Sequence, residues 1–373
     1  MANIYLDYAA TSRKHFDIIE KNMNILKEVY ANPSSGHTLG KKNDRLVREG
    51  REKIAKTLNA SSNEIIFNSG GTESNNTVFN HVLTRFETGE IIISSIEHPS
   101  VKASAKRLER FGFKVHELSV DESGAISIDE LKEKINPKTV LISIMLANNE
   151  TGVLNPLKEV SELIADKNIL LHSDIVQALG KVEIDVKELG LDFASASAHK
   201  LGSLNNFGFL YAKDGDVEPL LLGGGQENGL RSGTTDLLGI LVLKDCLSET
   251  LNSIPALREL KNYFISELEK NGVEFEVNGS IENSLPNILN IYFKNIEAQR
   301  LITYLDARDI YISGGSACSS GNIKGSRIIT EMYDIERAAH SVRISVGFDT
   351  SRELIDEVVE KIVTLEKRIK ERN

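Results

Sequence analysis

Between residues 64 and 212 the chain alternates short apolar runs with amphipathic stretches of helical period, and this alternation restricts the fold more than any other feature. The runs 64–68 (EIIFN), 90–94 (EIIIS), 114–118, 139–145, 169–172 and 207–212 are rich in Ile, Val, Leu or Phe and bounded by Gly, Ser, Asn or Asp. Helical patterns such as 101–111 and 157–167 lie between them. Strand–helix alternation of this kind reads as a mostly parallel α/β sheet, and near-continuous apolar strands suit a sheet covered on both faces. From about Pro255 the pattern changes to a helix over 256–271, apolar segments at 273–277 and 287–293, a helix near 298–308 and a charged amphipathic helix over 351–372. The expected organisation is a large domain over 15–254 and a smaller α+β domain over 255–373, which residues 1–14 join.

Charge and cysteine content narrow the function. The 373 residues hold 44 Lys plus Arg against 54 Asp plus Glu, a net charge of −10. Nucleic acid needs a cationic surface, so direct binding to it is not expected. The two cysteines, Cys246 and Cys318, are too few for a disulfide framework or a Cys-rich zinc site. No apolar run reaches the roughly 18 residues of a membrane span. Residues 1–11 carry Asp7 and lack a basic region followed by an apolar run, so no secretory signal is expected. A cytoplasmic protein is the expectation. No HExxH, Walker-type, GxGxxG or zinc-ligand spacing occurs, and no metal is expected.

Several segments carry chemically suggestive residues, each with a plainer alternative. In 67–76 (FNSGGTESNN) a strand runs into Gly70, Gly71 and Thr72 ahead of a helix; such a turn can cradle an anion, or simply cap the helix through Thr72. Asp174 follows a buried run, where open α/β sheets bind ligands; it can hold a cationic ring nitrogen or cap the next helix. Lys200 lies among small residues in 192–203 (DFASASAHKLGS), where desolvation would favour a nucleophilic amine; most lysines are surface charges. Cys246 sits in an apolar helical run and reads as core. Cys318 sits in the Gly/Ser-rich 313–325, which suits either a reactive thiol on an accessible loop or an ordinary loop. His98 and Asn148 each follow a strand, and Arg343 lies among apolar residues, where a guanidinium can clamp a carboxylate or form a structural ion pair. The glycine-rich 223–235 is a candidate binding or subunit-contact segment.

Together these parts are those a pyridoxal-phosphate enzyme needs. The ordered strings YLDYAAT (5–11), NPSSGH (32–37), SGGTESNN (69–76), EHPSV (97–101), ANNETG (147–152), HSDIVQALGK (172–181), SAHK (197–200), GGGQENGLRSGT (223–234), LPNILN (285–290), SGGSACSS (313–320) and HSVRISVG (340–347) span nearly the whole chain. In these the sequence resembles the class V aminotransferase-like cysteine desulfurases of the NifS/IscS type. The resemblance implies the type I pyridoxal-phosphate fold, pyridoxal 5′-phosphate as cofactor, a homodimer, and conversion of L-cysteine to L-alanine with a persulfide left on Cys318 for a sulfur-acceptor protein. Sulfur mobilisation for iron–sulfur cluster assembly or tRNA thiolation belongs to the same picture.

By the same resemblance, Lys200 would hold the cofactor covalently, Asp174 would pair with its ring nitrogen, and His98 would stack on the ring and help move protons. Gln177 would bond the ring oxygen. Thr72, Ser197 and His199 would bind the phosphate with the Gly71 backbone, and Thr234 would reach the phosphate of the neighbouring subunit. Asn148 and Arg343 would hold the substrate carboxylate, and Cys318 would accept sulfur. Alternatives on the same fold are a selenocysteine lyase, another lyase or a transaminase, and a weakly active sulfur-relay scaffold. Some positions depart from the family pattern. The loop after Lys200, 202–208 (GSLNNFG), lacks the usual Pro and basic residue. Ala198 stands where Gly is usual, and Ile175 stands where a small residue is usual, which would set larger groups against the ring.

Overall fold

The computed structural model describes residues 3–315 and 325–371. In chain order its strands are β1 (Ile4–Tyr5), β2 (Ile65–Asn68), β3 (Glu90–Ser94), β4 (Lys114–Leu118), β5 (Thr139–Ser143), β6 (Leu170–Asp174), β7 (Phe193–Ser197), β8 (Gly208–Ala212), β9 (Phe275–Val277), β10 (Ile288–Phe293), β11 (Ile310–Tyr311) and β12 (Ser341–Ser345). Seven of them form one sheet in the order β2-β8-β7-β6-β5-β3-β4. All its pairs are parallel except those of β8, which runs against both β2 and β7. The apolar runs are continuous because both faces are covered. In β3, Ile92 joins one apolar cluster while Ile91 and Ile93 join another on the opposite face.

The sequence pattern misses β7. Its residues, FASAS, are too small and too polar to signal a strand, yet all five are buried. Ala194 and Ala196 pack into the main core. On the other face Ser195 meets His172, whose Nε2 lies 2.9 Å from the serine Oγ, while His172 Nδ1 lies 2.7 Å from Ser143 Oγ. Burial pushes the His172 imidazole down to about 3. A neutral ring, partnered at both nitrogens, therefore crosses three strands.

A second, three-stranded antiparallel sheet has the order β12-β10-β9. Its apolar cluster combines Ile4 and Leu6 with residues from Leu257 to Ile369. β1 reaches across the chain to pair with β11. No break occurs at Pro255. One helix, Leu237–Lys270, runs through that proline, with Leu237–Leu247 contributing to the main core and Leu257, Phe264 and Leu268 to the second. Among the described residues no helix is long and apolar enough to cross a membrane.

Candidate active site

Strands β2, β3, β5, β6 and β7 run in one direction, so their carboxyl ends share one edge of the sheet, where open α/β sheets bind ligands. A cavity of about 620 Å³ lies there, within the range that takes a small-molecule cofactor. Its walls include Gly71, Thr72, His98, Asp174, Gln177, Ser197, His199, Lys200 and Arg343. Nine of the residues singled out from sequence thus face one space.

The turn after β2 begins the site. Gly70 adopts a φ of 121°, and an added Cβ there would lie 3.1 Å from Ser197 Oγ, so glycine keeps this corner open. Helix Gly71–Arg85 starts at that point without a side-chain cap. Its first N–H groups have no intrahelical partners, and its dipole favours an anion. Thr72, Ser197 and His199 line the same corner. His199 Nδ1 lies 3.2 Å from Thr11 Oγ1. Burial, reinforced by the charge of Lys200 and then of Lys14, pushes the His199 imidazole down to about 3. It is a neutral hydrogen-bonding group at neutral pH.

Asp174 ends β6 and is 7% exposed. Its Oδ2 accepts from Asn75 Nδ2 at 2.9 Å and its Oδ1 from the Val176 amide at 3.0 Å. Asn75 also donates to Ser100 Oγ at 2.8 Å, and that hydroxyl lies 2.7 Å from His98 Nδ1. The carboxylate and the imidazole are therefore oriented by one chain of bonds. His98 caps helix Pro99–Glu109, and burial holds its pKa down against the pull of Asp174. Asn75 and Ser100 lie inside the strings SGGTESNN and EHPSV, but nothing in their spacing reveals this bridge.

Lys200 Nζ donates to the carbonyls of Ala9 and Ala10 at 2.6 and 2.7 Å. Gln177 Nε2 donates to the same Ala9 carbonyl at 2.9 Å, and its buried Oε1 has no partner among the described residues. Behind them Lys181 is buried, its Nζ 3.4 Å from the Lys200 carbonyl. Burial, and then the Lys200 charge, bring its ammonium down to about 7.

From β12, Arg343 also lines the cavity and is 1% exposed. Its Nη2 donates to Asp7 Oδ1 at 2.7 Å and its Nη1 to the Asn149 carbonyl at 2.9 Å. Its Nε is buried and unpartnered among the described residues. Asn148 does not join this wall. It is fully buried, and its Oδ1 accepts from the Glu150 and Thr151 amides at 2.8 and 3.0 Å. The tight turn uses up its side chain, and the adjacent Asn149 lines the cavity instead.

Thr234 lies apart, in a neighbouring cavity of about 140 Å³ that shares Ser69 and Asn206 with the main one. Ile175 and Ala198 are fully buried in the main core and are not cavity walls. The expectation of larger side chains against a ring is therefore corrected: Val176 is the residue that faces the cavity. Cys246 is buried, and burial pushes its thiol up to about 12, as a core residue requires. Cys318 lies outside the described residues.

Residues 4–358 match the family model Aminotransferase class-V. The chain belongs to this family. Within it, the chain is 38% identical to a cysteine desulfurase IscS of Dictyoglomus turgidum, over 97% of this chain and 96% of that protein. Among solved structures, a NifS-like protein superposes with a TM-score of 0.90 at 33% identity, covering 98% of this chain and 100% of the other. SspA, solved in complex with cysteine, superposes with a TM-score of 0.81 at 32% identity, covering 92% and 98%. The fold is that of the type I pyridoxal-phosphate enzymes, and the chain groups with the cysteine desulfurases of the IscS and NifS type.

Proposed function

We propose that the protein is a cysteine desulfurase that takes sulfur from L-cysteine onto Cys318, leaves L-alanine, and passes the persulfide to an acceptor protein. The observation that carries this is the convergence of a lysine amine, a buried carboxylate and a buried guanidinium on one cavity.

The residues fit pyridoxal 5′-phosphate. The capless helix start with Thr72, Ser197 and neutral His199 suits its phosphate. Asp174, held by Asn75 and the Val176 amide, suits a cationic ring nitrogen. His98 suits a ring face, Gln177 a ring oxygen, and Lys200 the aldehyde. When bound, the cofactor supplies an electron sink that stabilises negative charge at the α-carbon of the amino acid and weakens its Cβ–S bond. The chain supplies the rest. Arg343 and Asn149, which both line the cavity, hold the substrate carboxylate and orient the α-carbon towards Lys200, whose amine takes the α-proton. The Cys318 thiolate attacks the substrate sulfur. The S–S bond forms as Cβ–S breaks, and the carbon fragment leaves as alanine after protonation. Thr234 would reach the phosphate of a second copy, so the working unit is a homodimer. The setting is the cytoplasm, where thiols stay reduced.

The test is incubation of the cofactor-loaded protein with L-cysteine. Alanine should form, with sulfide in the presence of a reductant. Cys318→Ala should still bind cysteine but yield no sulfide, and Lys200→Ala should lose the yellow absorption of the bound cofactor. Undiminished alanine from Cys318→Ala would instead mark a lyase that does not use this thiol.

A further inference from the structure

The loop after Lys200 lacks any basic side chain: residues 201–208 read LGSLNNFG. Its Asn205 and Asn206 nevertheless line the cavity beside Ser197 and His199. A cation reaches this loop from elsewhere in the chain. Lys14 Nζ donates to the Ser203 carbonyl and to Asn205 Oδ1, both at 2.7 Å. The segment that carries it is fastened along its length. The Ser12 amide donates to the His199 carbonyl at 3.1 Å, Ser12 Oγ to the Lys200 carbonyl at 2.7 Å, and the His15 amide to the Gly202 carbonyl at 3.0 Å. The approach is close enough to dictate sequence. Gly202 has a φ of 74°, and an added Cβ would fall 2.7 Å from the Arg13 carbonyl oxygen.

Resting on the cofactor reading above, we propose that Lys14 is a positioning residue. It supplies from the N-terminal segment the positive charge that the 202–208 loop lacks, and it strengthens binding of the cofactor's phosphate through Asn205. The ammonium is half-buried, and burial lowers its pKa. Its charge is also felt at His199, so it lies within electrostatic range of the phosphate corner. A half-buried charge acts on a dianion through a much lower effective dielectric than water. The Asn205 side chain, held at its oxygen by Lys14, presents its amide in a fixed direction.

The experiment titrates the apoprotein with pyridoxal 5′-phosphate and, separately, with pyridoxal, which lacks the phosphate. The readout is the absorbance of the bound ring. Lys14→Gln should bind pyridoxal 5′-phosphate about tenfold more weakly while binding pyridoxal as the wild type does, and Lys14→Arg should restore most of the loss. Added salt should weaken wild-type binding of the phosphorylated form more than that of Lys14→Gln. Equal losses for both ligands would mean that Lys14 merely braces the loop, and would overturn the inference, as would unchanged affinity. Should Lys14→Gln fail to fold, the salt comparison between the two ligands on wild-type protein decides: no difference overturns the proposal. A wild-type protein that binds neither ligand would instead remove the cofactor reading on which the proposal stands.

Discussion

The inner wall of the cavity and its rim are built by different means. Inside, Asp174 and His98 each have one partner two residues away, the Val176 amide and Ser100, besides the bridge through Asn75, which lies 99 residues from Asp174. At the rim, partners come from far along the chain. Arg343 meets Asp7 across 336 residues and Asn149 across 194. Lys200 meets Ala9 across 191, and Lys14 meets Ser203 across 189. The inner wall is thus set partly as each strand end folds into its turn and partly by the Asn75 bridge. Most of the rim exists only once the N-terminal segment, which carries Asp7, Ala9 and Lys14, has docked. The Asp174–His98 side of the site should therefore tolerate loss of the Arg343 contacts, whereas substrate capture should not.

The inner wall can be challenged first, where the expected effect is largest. Glu97 is fully buried beneath the strand ends, its Oε1 accepting from the Met145 amide at 2.7 Å and from Ser94 Oγ at 2.5 Å. Burial pushes its carboxyl up to about 8, well above the ordinary carboxylate range. The folded state therefore holds this proton more tightly than the unfolded chain does. Its contribution is complete below about pH 4.5 and is lost as pH rises through about 8. The unfolding free energy read from urea titrations should fall from pH 5 to pH 8.5 by an amount on the order of a few kcal/mol. Glu97→Gln, which keeps the shape and cannot ionise, should flatten that fall. The same slope in both proteins would show that Glu97 is not the group responsible.

The same contrast governs how much was legible from sequence. Strand ends announce themselves through apolar runs followed by Gly, Asp or His, so most of the sheet and the residues on its carboxyl edge are readable, Asp174 and His98 among them, whereas Lys200 is legible only from its small-residue setting and the string SAHK. β7 is not, because its serines are satisfied by a buried histidine rather than by solvent, and that pairing is tertiary. The helix through Pro255 is not, because a proline is an ambiguous boundary signal. Asn148 and Asn149 are indistinguishable as letters; which of them closes the turn depends on backbone direction. Lys14 carries no local signal, since its partner loop lies 189 residues on.

That pair of asparagines divides wall from rim at single-residue resolution. Asn148→Ala strands two buried amides and should cost about 2 kcal/mol of stability, read as a shift in urea midpoint, with little change in KM for cysteine. Asn149→Ala should leave the midpoint in place and raise KM severalfold. If Asn148→Ala raised KM while stability held, the assignment of the two residues would be reversed.

The smallest effect tests the rim's geometry rather than its charge. Arg343→Lys keeps a cation but loses the planar fork that now reaches Asp7 and the Asn149 carbonyl together. An ammonium on a shorter reach can satisfy one of these partners and a substrate carboxylate only in turn. KM for cysteine should rise about tenfold, roughly 1.4 kcal/mol, while cofactor affinity stays at the wild-type value because no inner-wall bond is touched. Asp7→Asn should move KM in the same direction by less, since the guanidinium keeps its bond to Asn149 and loses only one charged neighbour. A parallel loss of cofactor affinity in either variant would mean that rim and inner wall are one cooperative unit, and the division drawn between them would fail.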